Sequence, residues 1–330
     1  MGERPRASLP KNFISYGHGG WLQVAGKEYT MAKITLKDLS DKYFLSNDYR
    51  SLSYKSQVDY SYFMNVVLDT IVEKKSLSTT NVKYMTGAKA RQAYEQWLTR
   101  GVQMANHVCA VARKMYSFGM EMGYVETNPF ATFKRRATKP RKVVWTREQI
   151  SKFLDTCYSD FQYRSLGLIA QMSYELCQRI GDMRTLRFDT IDFDNRVLNL
   201  EQSKRGALVH LPLEDSLYEM LCQQKADFDF QEYVAPYPIP RNGSYSPYKL
   251  DRLSRHARDA ITLAGLPNSL RIADLRRTGT TEMVEAGVPM GQIMAVTGHA
   301  NPSSVKPYMK NTYTSAENAL TARKKHVTST

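Results

Sequence analysis

Cysteine is scarce: Cys109, Cys157, Cys177 and Cys222 are the only four in 330 residues, with no CxxC pair and no Cys/His ligand spacing. That argues against a disulfide framework or a structural zinc site and favours a reducing compartment. Apolar runs are short. None approaches the ~20 residues a helix needs to span a bilayer, and the opening Met1-Gly2-Glu3-Arg4-Pro5-Arg6 does not start a signal peptide. The expectation is a cytoplasmic protein with no membrane partner. Neither an internal repeat nor a low-complexity tract is present. No cluster of carboxylates stands ready for a metal, and no cofactor is expected.

Negative charge is also in short supply. Asp and Glu number 32 against 46 Lys and Arg, a formal charge of +14 with a pI near 9.5. Such an excess favours a polyanionic partner, with nucleic acid ahead of an acidic membrane surface. A basic soluble enzyme is the plainer alternative until the charges are placed. The length leaves room for two or three domains.

Along the chain, residues 1–34 read as short strands at 13–16, 21–24 and 28–31 separated by Gly-rich turns. Thr35, with Asp38 three residues on, starts a helix, and the pattern stays helical to about Asn128. Segments 58–74, 88–100 and 103–122 space apolar residues at three and four, as in Val108, Val111, Met115, Phe118 and Met122. Asn128-Pro129 is expected to end the last of them. Between Lys134 and Lys142 six of nine residues are Lys or Arg, a run that repels itself and stays extended. It is either a linker tracking a phosphate backbone or a solvated connector. Thr146-Arg147-Glu148-Gln149 is a capping box that opens a new domain, with Trp145 anchoring its edge. Helices follow to 154 and over 163–177, then strands 196–200 and 207–213. Helix 215–224, a Pro/Tyr/Gly-rich loop and helices 248–264, 274–286 and 288–296 complete the domain.

Five residues of this second domain carry a chemistry. A guanidinium grips two phosphate oxygens in a fork, a second donor stabilises transition-state charge, and a phenol supplies an attacking oxygen. Arg179, Lys204, Arg276, His299 and Tyr308 offer these types, with Tyr308 nine residues after His299. In chain order they resemble the active site of the tyrosine recombinase (phage integrase) family, whose pattern is Arg, Lys on a β-turn, His-x-x-Arg, Gly-His and then Tyr. The resemblance covers roughly residues 146–325. Five of six positions match in type, and the sixth, the first His, is Ala273 here.

That resemblance implies a mainly α fold with a small antiparallel β-sheet. It divides the chain into a possible β-rich arm-type DNA-binding region (1–34), a helical core-binding, SAM-like domain (35–133), a basic linker (134–145) and an α+β catalytic domain (146–330). For 1–34, a plain N-terminal extension is the alternative. The implied function is site-specific recombination, integrating or excising a phage or other mobile element through a 3′-phosphotyrosine. Tyr308 attacks, with Tyr313 as fallback; Arg179, Arg276 and His299 hold the charge; Lys204, with Arg205 beside it, protonates the leaving oxygen. Asp182 is expected to hold Arg179 from behind. Arg271 or water would offset Ala273. Lys134, Arg135, Arg136, Lys139, Arg141, Lys142, Arg205 and Arg277 would meet DNA phosphates. The implied partners are double-stranded DNA on the nucleoid, three further copies in a tetramer, and an accessory DNA-bending protein. Residues 316–325 would form a helix that packs on a neighbouring copy or on its own. Two rivals stay open: a relaxing topoisomerase, and a non-catalytic DNA-binding regulator, for which Ala273 is the best argument.

Overall fold

The computed structural model describes residues 13–16, 20–23, 34–131, 134–138, 140–204, 206–309 and 313–328. By contacts the chain divides into two units, Met1–Pro140 and Arg141–Thr330. It is mainly helical with small antiparallel sheets, as expected.

In the first unit, strands β1 (Phe13–Tyr16) and β2 (Gly20–Gln23) pair as an antiparallel hairpin. The strand expected at 28–31 lies outside the described residues. Thr35 then caps α1 (Leu36–Leu45): its hydroxyl accepts from the Asp38 amide while the Asp38 carboxylate accepts from the Thr35 amide. A short α2 (Asn47–Arg50) leads into α3 (Tyr54–Asp69). The helix stops earlier than its apolar period suggests. Thr70 leaves helical geometry, and strands β3 (Ile71–Val72) and β4 (Lys75–Ser76) form a hairpin whose turn residues, Glu73 and Lys74, both take positive φ, 51° and 65°.

Helices α4 (Gly87–Leu98) and α5 (Val102–Glu121) close the bundle around Tyr43, Met64, Tyr94, Trp97, Tyr116 and Phe130, all essentially buried. Each large apolar side chain so buried contributes about 1.5–3 kcal/mol. The Trp97 indole donates to Thr70 Oγ1 at 2.8 Å, so its one polar atom is satisfied in the core. α5 ends at Glu121, before Gly123 (φ 72°), rather than at Asn128. Asn128 instead folds its segment back, donating to the Arg113 carbonyl (2.9 Å) and Ser117 Oγ (3.1 Å). The start of the basic run is docked as well. Arg136 N donates to Tyr94 Oη at 2.9 Å and Arg136 O accepts from Asn106 Nδ2 at 2.9 Å.

The second unit opens on the Thr146/Gln149 capping box of α6 (Arg147–Tyr158). Trp145 is buried, its Nε1 donating to the Arg271 carbonyl at 3.1 Å. Next comes α7 (Phe161–Glu175), whose Leu166, Leu168, Ile169, Ala170 and Met172 are wholly enclosed, so it is the axis of the core. After α8 (Ile180–Met183), strands β5 (Ile191–Asp192), β6 (Val197–Glu201) and β7 (Leu208–Pro212) form one antiparallel sheet in that order. Leu198 faces Leu211 and Leu200 faces Val209, and all four are buried while Asn199 and His210 are exposed. This is the alternation of a one-sided sheet.

Helices α9 (Asp215–Phe228), α10 (Leu250–Leu263), α11 (Leu275–Glu285), α12 (Met290–Thr297) and α13 (Tyr313–Thr328) follow. α11 crosses α7 so closely that a Cβ at Gly279 would stand 2.4 Å from the Tyr174 carbonyl oxygen. The side chains of 316–328 are exposed, and Asn318 Nδ2 donates to the Glu285 carbonyl at 3.2 Å. No helix among the described residues is long and apolar enough to cross a membrane.

Candidate active site

Arg276 sits in the first turn of α11 and is 8% exposed. Its Nη2 donates to the Thr297 carbonyl at 2.8 Å, whereas Nη1 is buried with no hydrogen-bond partner. Burial pulls the guanidinium pKa down, the like charge of Arg179 pulls it further, and Tyr308 holds it up. A buried cationic donor without an acceptor costs at least about 1–3 kcal/mol. An anion at Nη1 would remove that penalty.

Arg179 is the N-cap residue of α8, placed by a sharp turn at Cys177 (φ 51°). Its Nη1 donates to Gln202 Oε1 at 2.6 Å and lies 3.9 Å from Asp182 Oδ2. Asp182 thus forms the expected ion pair behind Arg179, and the nearer partner is an uncharged amide. Asp182 uses Oδ1 on the Ser203 amide (3.3 Å) and hydroxyl, next to Lys204. Lys204 itself is exposed in the turn between β6 and β7, which Gln202 closes by donating to the Ala207 carbonyl and accepting from the Gly206 amide, both at 2.9 Å. Arg205 lies outside the described residues.

Gly298 ends α12 in the left-handed conformation (φ 67°) and turns His299 into the site. The Thr297 hydroxyl donates to the Ile293 carbonyl at 2.7 Å, so it accepts from His299 Nδ1 at 2.7 Å. That chain of bonds puts the ring proton on Nδ1 and leaves the Nε2 lone pair toward Arg276 Nη2, 3.4 Å away. Tyr308 follows on a 3-10 turn, Lys306–Tyr308, with Pro307 inside it. Its ring centroid is 5.9 Å from that of His299, and the Arg277 guanidinium lies 5.0 Å over its face. Arg277, expected among flanking phosphate contacts, stacks on the face of the tyrosine.

Arg179, Arg276, His299 and Tyr308 are therefore together, and the Lys204 turn is tied to them through Gln202 and Ser203. Ala273 and Arg271 are exposed, lining a separate cavity of about 190 Å³ with Ser254 and Arg258. The Arg271 guanidinium is held by the carbonyls of Asn268 (2.8 Å) and Leu270 (2.9 Å), which leaves it unsuited to replace a histidine at 273. Arg141, expected among the phosphate contacts, bonds within the protein. Asp274 takes its guanidinium in a fork of 2.7–2.9 Å bonds and raises its pKa, so it anchors the linker to the head of α11. Lys134, Arg135, Arg136 and Lys142 are exposed, while Lys139 and the side chain of Tyr313 lie outside the described residues. Gln202 is the buried neighbour of the site that sequence reasoning missed. For Gln202 the available signal was an uncharged amide two residues ahead of the lysine.

Comparison with known proteins places this geometry. Residues 144–315 match the model of the phage integrase family. No curated protein matches the sequence. Among solved structures, a lambda integrase tetramer bound to a Holliday junction shares 17% identity at a TM-score of 0.70, covering 85% of this chain and 79% of that one. A lambda integrase dimer bound to a COC′ core site shares 16% at 0.68 (93% and 97%). The integrase of the Tn1549 transposon in complex with circular intermediate DNA shares 16% at 0.69 (87% and 99%).

Proposed function

Because the chain belongs to the phage integrase family and is a site-specific DNA recombinase, we propose that Tyr308 is its nucleophile and that cleavage runs through a 3′-phosphotyrosyl link. The observation that carries this reading is the convergence of Arg179, Arg276 and His299 beside Tyr308, with a buried Arg276 Nη1 awaiting an acceptor. A scissile phosphate there would accept from both guanidinium groups, whose charge is concentrated by burial and aimed before the reaction begins. The phenol oxygen bonds to phosphorus as the bond to the 5′ oxygen breaks. Lys204 gives that oxygen its proton once the DNA holds the turn in place.

The phenol proton needs a base, and Ala273 is none. His299, with Nε2 unprotonated and its ring beside Tyr308, takes that role. The phosphotyrosyl link keeps the phosphodiester energy, so a second DNA end reverses the step and strands are exchanged without ATP, a chemistry shared with type IB topoisomerases. The helical unit is the DNA clamp of the pair, and the exposed Lys134, Arg135, Arg136 and Lys142 follow the backbone. Double-stranded DNA, four copies on two duplexes and an integrated or excised mobile element complete the proposal, in keeping with the dimer, tetramer and circular-intermediate complexes of the similar integrases.

A nicked suicide duplex carrying the attachment site tests it. Wild type should trap a covalent adduct and Tyr308→Phe none, and wild type should exchange strands between two sites. No adduct with either protein would leave a DNA-binding regulator; an adduct without exchange would leave a relaxing topoisomerase.

A further inference from the structure

We propose that Gln202 is a positioning residue for DNA cleavage, setting Arg179 against Arg276 and coupling the Lys204 turn to the histidine turn. The inference rests on the functional reading above. Gln202 is fully buried, and its side chain has a partner on each side. Oε1 accepts from Arg179 Nη1 at 2.6 Å; Nε2 donates to Gln178 Oε1 at 2.7 Å and to the Thr297 carbonyl at 2.9 Å. The same carbonyl accepts from Arg276 Nη2. The two guanidinium groups are thus linked by one amide and one shared carbonyl, and neither is neutralised by it.

The amide can point only one way. Turned over, its NH2 would face the Arg179 guanidinium and its oxygen would face two further oxygens. Gln178 is fixed in turn, its Nε2 donating to the carbonyls of Leu176 and Val296, both at 2.7 Å. The histidine turn is built around this side chain: a Cβ at Gly298 would fall 2.5–2.6 Å from three Gln202 atoms. The backbone of Gln202 meanwhile closes the turn that carries Lys204. A carboxylate in its place could accept from Arg179, but it would cancel the charge meant for the phosphate and could not donate to Thr297. Leucine would fill the space and hold nothing.

The contrast that separates positioning from mere packing is the charge of the scissile group. A methylphosphonate carries no negative charge there, so the alignment of two guanidinium groups matters less to its cleavage. Single-turnover cleavage of suicide duplexes bearing a phosphate or a racemic methylphosphonate is measured for wild type, Gln202→Leu, Gln202→Glu and Tyr308→Phe, with DNA affinity and melting alongside. Gln202→Leu should cleave the phosphate on the order of 100-fold more slowly, the scale of a misplaced group, with DNA affinity within about 3-fold of wild type and the defect below roughly 5-fold on the methylphosphonate. Gln202→Glu keeps the shape of the side chain and should show the same narrowing, which secures the test if the leucine variant does not fold.

Wild-type rates on phosphate, or an equal loss on both substrates, would overturn the proposal while leaving the recombinase reading intact. Absence of an adduct in wild type would overturn that reading and this one with it.

Discussion

Gly298 serves two purposes in one residue: a left-handed turn, and room for the Gln202 amide. Gly298→Ala should cost about 1–2 kcal/mol for the backbone alone and push Gln202 off Arg179. Cleavage should therefore fall well beyond the drop in melting temperature, measured on the same preparation. Ala273 is exposed on a cavity apart from Tyr308, so Ala273→His should leave the single-turnover rate within about 3-fold of wild type; a rise on the order of 100-fold, the scale of a general base, would show that position 273 reaches the phenol. Arg276, His299 and Tyr308 were picked out by their resemblance to a family pattern, and the structure brings them together. Gln202 was not legible, since its partners lie 23, 24 and 95 residues away and an amide leaves no charge pattern.

At the scale of helices and strands, local chemistry was readable where it is local. The helix start at Thr35, the capping box at Thr146 and the strands about Lys204 appear as expected. The end of α3 was hidden because Glu73-Lys74 makes a tight turn without the usual Gly or Asn. The crossing of α7 and α11 gives a sharp test. Gly279→Ala should destabilise by about 1–3 kcal/mol or more, visible as a lower midpoint for the second unit's melt.

The docking of α10 should be pH-sensitive. His256 packs among Tyr163, Tyr237 and Tyr248, and burial, opposed by the charge of Asp259 and aided by those of Arg252 and Arg255, holds its pKa below the ordinary 6.5. Below that value the unfolded chain takes up the proton first, so His256's contribution to stability is present above pH 6.5 and is lost as pH falls through its lower folded pKa. His256→Phe keeps the aromatic nest and should reduce the fall in melting temperature between about pH 7.5 and 5.5; an unchanged fall would exclude His256 as its source.

For the whole molecule, charge and division into two units set the behaviour on DNA. Lys134→Gln and Lys142→Gln should each flatten the log–log salt dependence of binding by about 0.9 if each side chain meets one phosphate, read by titration at several salt concentrations. The basic run is shorter as a free tether than its composition suggests. Its front end is fastened to Tyr94 and Asn106 and its back end to Asp274, so only about four residues remain between the moorings, at most ~14 Å of chain. Where both halves grip one duplex the second contact is intramolecular, and a short link of this kind gives it an effective concentration in the millimolar range. Two feeble grips so joined act as one firm hand, and severing that leash should release the duplex without damaging either half.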